Sequence, residues 1–281
     1  MLTDEFFLGT KLYHKKLTEL CKPIARYLGV TQVIYVNIDK RGQMFCICNN
    51  YPWVERFLEE HYYLLDPLMV HPNNIHNGFS FDNASEDQEF KDTLLYDAVI
   101  KFDWCHSFAY IEKTAAGGYF GFDFGTTKSN YQIINKLING SQIIKKMIRN
   151  LHKKIMLMTR ELQENKMDFA TMKGELFNSQ KGLVFNEQVE NEHKIRLLRD
   201  TGFLANDADQ DFLTRVYLSP QETNCLRAYL DTHSIKKVSG DLSLAVTTVT
   251  SYIENIKNKL NCHNKNELFD KAEILESLGR I

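Results

Sequence analysis

Apolar residues recur at helical spacing near the start of the chain: Leu12, Leu17, Leu20, Ile24 and Leu28, with Gly29 placed to stop the helix. The period then shortens to two. Residues 33–38 and 44–48 are short β-rich runs joined by Asp39-Lys40-Arg41-Gly42, the pattern of a hairpin. Residues 54–64 return to helical spacing and end before Asp66-Pro67, because a residue preceding proline avoids the helical region. A second hairpin pairs 107–113 with 119–125 around Ala115-Ala116-Gly117-Gly118. The expected product is an α+β domain, an antiparallel sheet flanked by helices, over residues 1–162.

Beyond residue 131 strand signals vanish. Ile133, Ile134, Leu137, Ile138, Ile144, Met147, Ile148, Leu151, Ile155 and Met158 mark one apolar stripe of a long helix, weakly interrupted at Asn139-Gly140. Lys145, Lys146, Arg149, His152, Lys153 and Lys154 lie on and around its other face, which reads first as solvated and second as a basic patch. Residues 163–216 are polar, with scattered anchors such as Phe177, Phe185 and Leu198, and are expected to form a helical connector, with packing against a second subunit as one use for it. Residues 217–281 carry four helix patterns. Ser219-Pro220-Gln221-Glu222 is a capping box opening the first, and Ser234 caps a short second. The tight link Ser243-Leu244-Ala245 leads to a third helix, expected to be buried through Val249, Tyr252, Ile253, Ile256 and Leu260. A fourth runs from Lys265 to about Leu278.

Composition changes this picture little. A hydrophobic share of 43% and a charged share of 25% over 281 residues fit two ordinary globular domains. The net charge of -2 means any nucleic-acid surface must be a local patch. No apolar run is long enough to span a membrane, and the acidic start Thr3-Asp4-Glu5 lacks the basic region of a signal peptide, so a cytoplasmic protein is expected. Six cysteines without a CxxC pair read as reduced thiols; Cys46 and Cys48 point the same way along a strand, as buried hydrophobes or as a redox or metal pair. The histidines show no HExxH spacing and no glycine loop precedes a helix, so neither metal nor cofactor nor catalytic residue is expected. A hydrolase built on Cys105 and a distant histidine stays open at this point.

Two helices joined by a short turn, the second opening with polar Thr247, Thr248, Thr250 and Ser251, suit entry into a major groove of double-stranded DNA. Lys236, Lys237, Lys257, Lys259 and Lys265 stand where they can reach phosphates. The positions Leu218-Ser-Pro-x-Glu222, Leu226, Val238, Leu242-x-Leu244, Thr248-Val249, Asn255-Ile256, Lys259-Leu260 and Glu267-Leu268 closely resemble the LuxR (GerE-type) helix-turn-helix. The resemblance implies a transcription regulator whose third helix reads DNA. Three positions depart from the family pattern: Thr232 replaces a helix-ending glycine, Ala245 a serine cap, and Tyr252 a frequent histidine.

The first domain's hairpins exclude the parallel pattern of a phosphoacceptor receiver. The stretch Asn50-Tyr51-Pro52-Trp53-x-x-x-Phe57, then Tyr62, Tyr63 and Asp66-Pro67-Leu68, resembles the autoinducer-binding domain of quorum-sensing LuxR-type receptors. The resemblance implies a lipophilic ligand such as an acyl-homoserine lactone, with Trp53 and Asp66 on its polar head and Tyr51, Phe57 and Phe81 around it. Phe57 and Phe81 stand where the family has tyrosine and tryptophan, and Ser107 where it has glycine, so a different small molecule also fits. The expectation is a homodimer on a palindromic site. A LuxR-type regulator without a ligand, controlled by a protein partner or constitutive, and an enzyme fused to a DNA-binding domain remain as alternatives.

Overall fold

The computed structural model describes residues 2–160, 166–182, 196–197, 216–278 and 281. The chain divides into two units, 1–184 and 185–281.

In the first unit, helix α1 (Leu2–Leu28) ends at Gly29, whose φ of +76° suits glycine. Strands β1 (Val30–Ile38) and β2 (Gln43–Cys48) form the first hairpin, its turn fixed by Asp39 Oδ1, which accepts from the N–H groups of Arg41 and Gln43. Helix α2 (Tyr51–Glu59) starts three residues earlier than the spacing suggests, because Asn50 caps it by accepting from Trp53 N. Strand β3 (Gly78–Phe81) is followed by helical turns through α3 (Gln88–Phe90) and α4 (Tyr96–Phe102), joined by a π-helical turn. Strands β4 (Cys105–Lys113) and β5 (Tyr119–Thr126) make the second hairpin. The sheet order is β3-β4-β5-β1-β2-β6, antiparallel throughout.

Helix α5 (Ile133–Met158) runs through Asn139-Gly140 unbroken. The glycine serves packing: a Cβ there would lie 2.8 Å from the Tyr27 hydroxyl of α1. Both sheet faces are covered. Period-two alternation sends Tyr35, Phe45, Phe108, Phe122 and Phe124 toward α1 and α5, and Val36, Met44, Cys46, Ala109 and Ile111 toward α2, α4 and the loop after Asp66. Burying each of those large rings stabilises the fold by roughly 2–3 kcal/mol.

Residues 166–182, expected in the connector, instead fold onto the first unit. Strand β6 (Met167–Asp168) pairs with β2, and the short helices α6 (Phe169–Lys173) and α7 (Glu175–Ser179) bury Phe169 and Phe177. Phe177 was one of the anchors visible in this polar stretch; Phe169 was not. The remaining connector positions, Leu183, Val184, Phe185, Ile195 and Leu198 among them, lie outside the described residues.

The second unit holds α8 (Pro220–Thr232), α9 (Ile235–Leu242), α10 (Val246–Lys259) and α11 (Lys265–Ser277). The capping box forms as the spacing predicts, Ser219 and Glu222 each accepting from the other's backbone N–H. Leu226, Val238, Val249, Ile256, Leu260, Leu268 and Leu275 are completely buried. The left-handed residue ending α8 is His233 (φ 53°), so Thr232 stays helical and carries no strain from replacing glycine.

Candidate functional site

Helix α10 buries one stripe and leaves the start of its opposite side to solvent. Val249, Ile253 and Ile256 face the core, while Thr247, Thr250 and Ser251 are exposed and Thr248 is half-buried. The hydroxyls of Thr250 and Ser251 donate to the carbonyls of Val246 and Thr247 at 2.9 and 3.0 Å, so their lone pairs stay open. Ala245 sits at the N-cap with extended backbone and no side chain to satisfy the first turn. Those N–H groups and the helix dipole leave a site that favours phosphate. Lys236 and Lys237 are exposed on α9. Lys257 donates to Glu254 at 2.9 Å, an exposed pair that a phosphate can displace at small cost.

Lys259 is held differently. It donates to buried Glu222 at 2.7 Å and to the Tyr217 carbonyl at 3.3 Å. Burial raises the Glu222 pKa, but the bonds from Lys259 and Ser219 outweigh it and hold the carboxyl below its usual range. Lys265 lies over the rings of Tyr229 and Phe269, at 5.5 and 5.2 Å from their centroids.

In the first unit a small cavity lies on the α2 side of the sheet, lined by Ile34, Val36, Leu68, Met69, Ala109, Ile111 and Gly121 with the carboxylates of Asp66 and Asp123. Its free space is about 20 Å³, room for one water molecule centre. Asp66 is buried and accepts from Leu68 N at 2.7 Å, capping its own turn. Lys173, 2% exposed, donates to the carbonyls of Asp66 and Met69 at 2.9 and 2.8 Å. Burial lowers that ammonium's pKa to about 8. Burial also raises the Asp66 carboxyl, against the pull of Lys173 and Leu68 N.

The sequence-named aromatics separate. Trp53 and Phe57 pack on the cavity's side of the sheet, in a cluster where Trp53 meets Tyr62, Phe102 and Trp104 at 5.2–6.2 Å between ring centroids. Tyr51 is the half-buried first residue of α2. Phe81 is not on this face: its pairing opposite Phe108 sends it toward α1 and α5, and Ser80 takes the cavity side.

Asp82, Asp123 and Lys173 were not singled out by the sequence, and Ser107 only as a replacement of the family's glycine. Asp82 is 5% exposed and bonded to Ser107, and burial raises its pKa to about 6. Asp123 is raised well above the usual carboxylate range by burial and by the charges of Asp82 and Asp66. The signal for Asp123 stood in Phe120-Gly121-Phe122-Asp123-Phe124: three phenylalanines on one face put an aspartate on the other, inside a strand buried on both sides.

All six cysteines are free and buried. Burial and the neighbouring Asp103 push the Cys105 thiol up, the wrong direction for a nucleophile. Among the described residues no three His, Cys, Asp or Glu side chains come together to hold a metal ion, and no helix is long and apolar enough to cross a membrane. In the basic face of α5, Arg149 donates to Glu112 at 2.8 Å, and His152 stacks on Phe120 at 3.8 Å.

Residues 216–272 match the model for bacterial regulatory proteins of the luxR family, and residues 14–122 match the model for the autoinducer binding domain. Comparison with curated proteins finds no significant match. Among solved structures, SdiA in complex with octanoyl-rac-glycerol is similar at a TM-score of 0.38 and 12% identity, over 93% of this chain and 88% of that one. Escherichia coli SdiA is similar at 0.36 and 12%, over 95% of each chain. An autoinducer-binding domain followed by a LuxR-type helix-turn-helix makes this chain a member of the LuxR family of DNA-binding regulators.

Proposed function

We propose that the protein is a cytoplasmic homodimer that binds a palindromic site in double-stranded DNA through α10, under the control of a small lipophilic ligand held in the first unit. The observation that carries the DNA-contact assignment is the set of exposed hydroxyls at the start of α10, Thr247, Thr250 and Ser251, opposite the buried stripe of Val249, Ile253 and Ile256. Thr247, Thr248, Thr250 and Ser251 read base edges, and Lys236, Lys237 and Lys257 hold phosphates. Lys259 contributes through the fold, since its ammonium is engaged by Glu222.

On the ligand side, Asp66 supplies the acceptor for a polar head, and the apolar wall of the sheet supplies a bed for a chain. Trp53 and Phe57 build the aromatic layer beside it. The measurement is native mass spectrometry with solvent extraction of freshly purified protein, giving both subunit mass and bound species. A stoichiometric lipophilic compound lost on Asp66→Ala supports sensing. A monomer mass at the concentrations that bind DNA would overturn the dimer.

One observation favours a second reading, in which no small molecule is bound and a protein partner sets activity: the cavity has room for a single water. An empty protein whose melting temperature no lipophilic compound moves would establish it.

A further inference from the structure

The exposed side of α10 carries one acid, and that acid stands at its centre. Glu254 follows Thr247 by two helical turns, so the two share a bearing on the helix within about 20°. Its neighbours one turn away on either side are Thr250, Ser251, Lys257 and Asn258. Thr250, Ser251 and Asn258 are exposed, and so is Glu254, whose side chain is 58% accessible and accepts from Lys257 Nζ at 2.9 Å. No lysine or arginine occurs on α10 before Lys257. A surface assigned to a polyanion therefore presents negative charge at the position where pure phosphate attraction would call for positive.

We infer that Glu254 is the specificity-determining residue of the reading helix, accepting a hydrogen bond from the N4 amino group of one cytosine in each half-site. This rests on reading α10 as the DNA contact. Serine and threonine hydroxyls both donate and accept, so the row of Thr247, Thr250 and Ser251 suits several base edges. A carboxylate only accepts. In the major groove cytosine offers it an amino group and no acceptor, whereas adenine sets an N7 acceptor beside its amino group. Guanine and thymine present carbonyl oxygens that repel it. Among phosphates the carboxylate is unfavourable at every site lacking that amino group, so it acts against wrong sequences as well as for the right one. Lys257 is placed to make the exchange. As its ammonium passes to a phosphate, the oxygen it held at 2.9 Å is freed for the cytosine N–H.

The test is selection of bound duplexes from a random DNA pool by the full-length protein, then affinities for the selected site and its single-base variants. One position in each half-site is expected to hold cytosine, with any other base there weakening binding about tenfold. Glu254→Gln is expected to move that position alone to adenine, because a carboxamide pairs with N6 and N7 together. Glu254→Ala is expected to bring the four bases there within about twofold of one another. Both variants should melt with the parent, since an exposed pair such as Glu254–Lys257 adds little to stability. If both variants select the parent's sequence at every position, Glu254 reads no base and the assignment of α10 stands. Changes spread over many positions would mark a structural role and overturn the inference as well. If the parent enriches no sequence, the DNA-contact assignment of α10 falls and this inference with it.

Discussion

Lys259 Nζ donates at 2.7 Å to the Glu222 carboxylate that also accepts from Ser219 N, so one buried acid joins the end of α10 to the start of α8. The third helix is thereby fixed against the first at the point where the capping box forms. Lys259→Met should lower the stability of the helix-turn-helix unit by about 1–2 kcal/mol, because it strands the Glu222 charge. Lys257→Met should leave the melting temperature unchanged and weaken binding to every DNA sequence alike, with a shallower salt dependence. Thermal unfolding beside salt titrations of DNA affinity separates the two. Equal melting temperatures for both variants would contradict the role given to Lys259.

Ala245 leaves the first turn of α10 without a side-chain cap, although its φ of -64° and ψ of 146° suit serine. Ala245→Ser should stabilise the unit by about 0.5–1 kcal/mol, read as a rise in melting temperature. No rise would mean that the first-turn N–H groups already have another acceptor.

Lys173→Met should destabilise the first unit by about 2–3 kcal/mol, since it orphans the Asp66 and Met69 carbonyls and removes the cation that acts on Asp66. Combining it with Asp66→Asn should recover part of the loss. Denaturant midpoints for the two single variants and the double variant give the coupling, and strict additivity would refute it.

Burial holds the His152 imidazole down to about 4, against its ordinary 6.5. Between those values the unfolded chain takes up a proton that the folded one refuses. Its contribution is therefore complete above pH 6.5 and lost as pH falls, by roughly 3 kcal/mol at the lower end. Asp82 acts in the opposite sense. Its folded value of about 6 stands above the unfolded 3.8, so it stabilises at low pH and that gain disappears as pH rises through 6. In urea unfolding at pH 7 and pH 5, His152→Gln should lose less stability on acidification than the parent. Identical pH profiles would mean that His152 is protonated in the fold.

The helix-turn-helix was legible because its information is local. Ser219 and Glu222 cap what they adjoin, and the Val249, Ile253, Ile256 and Leu260 stripe follows one helical period. Lys259 shows where local reading stops, since its partner is 37 residues away. The two hairpins of the first unit were equally readable, but β3 has only four residues and takes its place from β4. Of the cavity's two acids Asp66 stood in a motif and Asp123 in the alternation of β5, but that they line one space follows from sheet register. Lys173 reaches the Asp66 carbonyl only through the segment returning after residue 167, which no spacing along the chain expresses. Phe81, named because it stands where the family has tryptophan, packs toward α1 and α5 because the register of β3 sets it opposite Phe108.

The segment after β6 is bound to the loop that carries Asp66 at several points. Phe177 O accepts from His71 N, Gly182 N donates to Asn74 O, and Gln180 donates to Leu65 O. The chain continues toward the DNA-binding unit from this same segment. Those bonds make the seat of residues 166–182 on the sheet depend on the conformation of the loop after Asp66, so whatever shifts that loop shifts the returning segment with it.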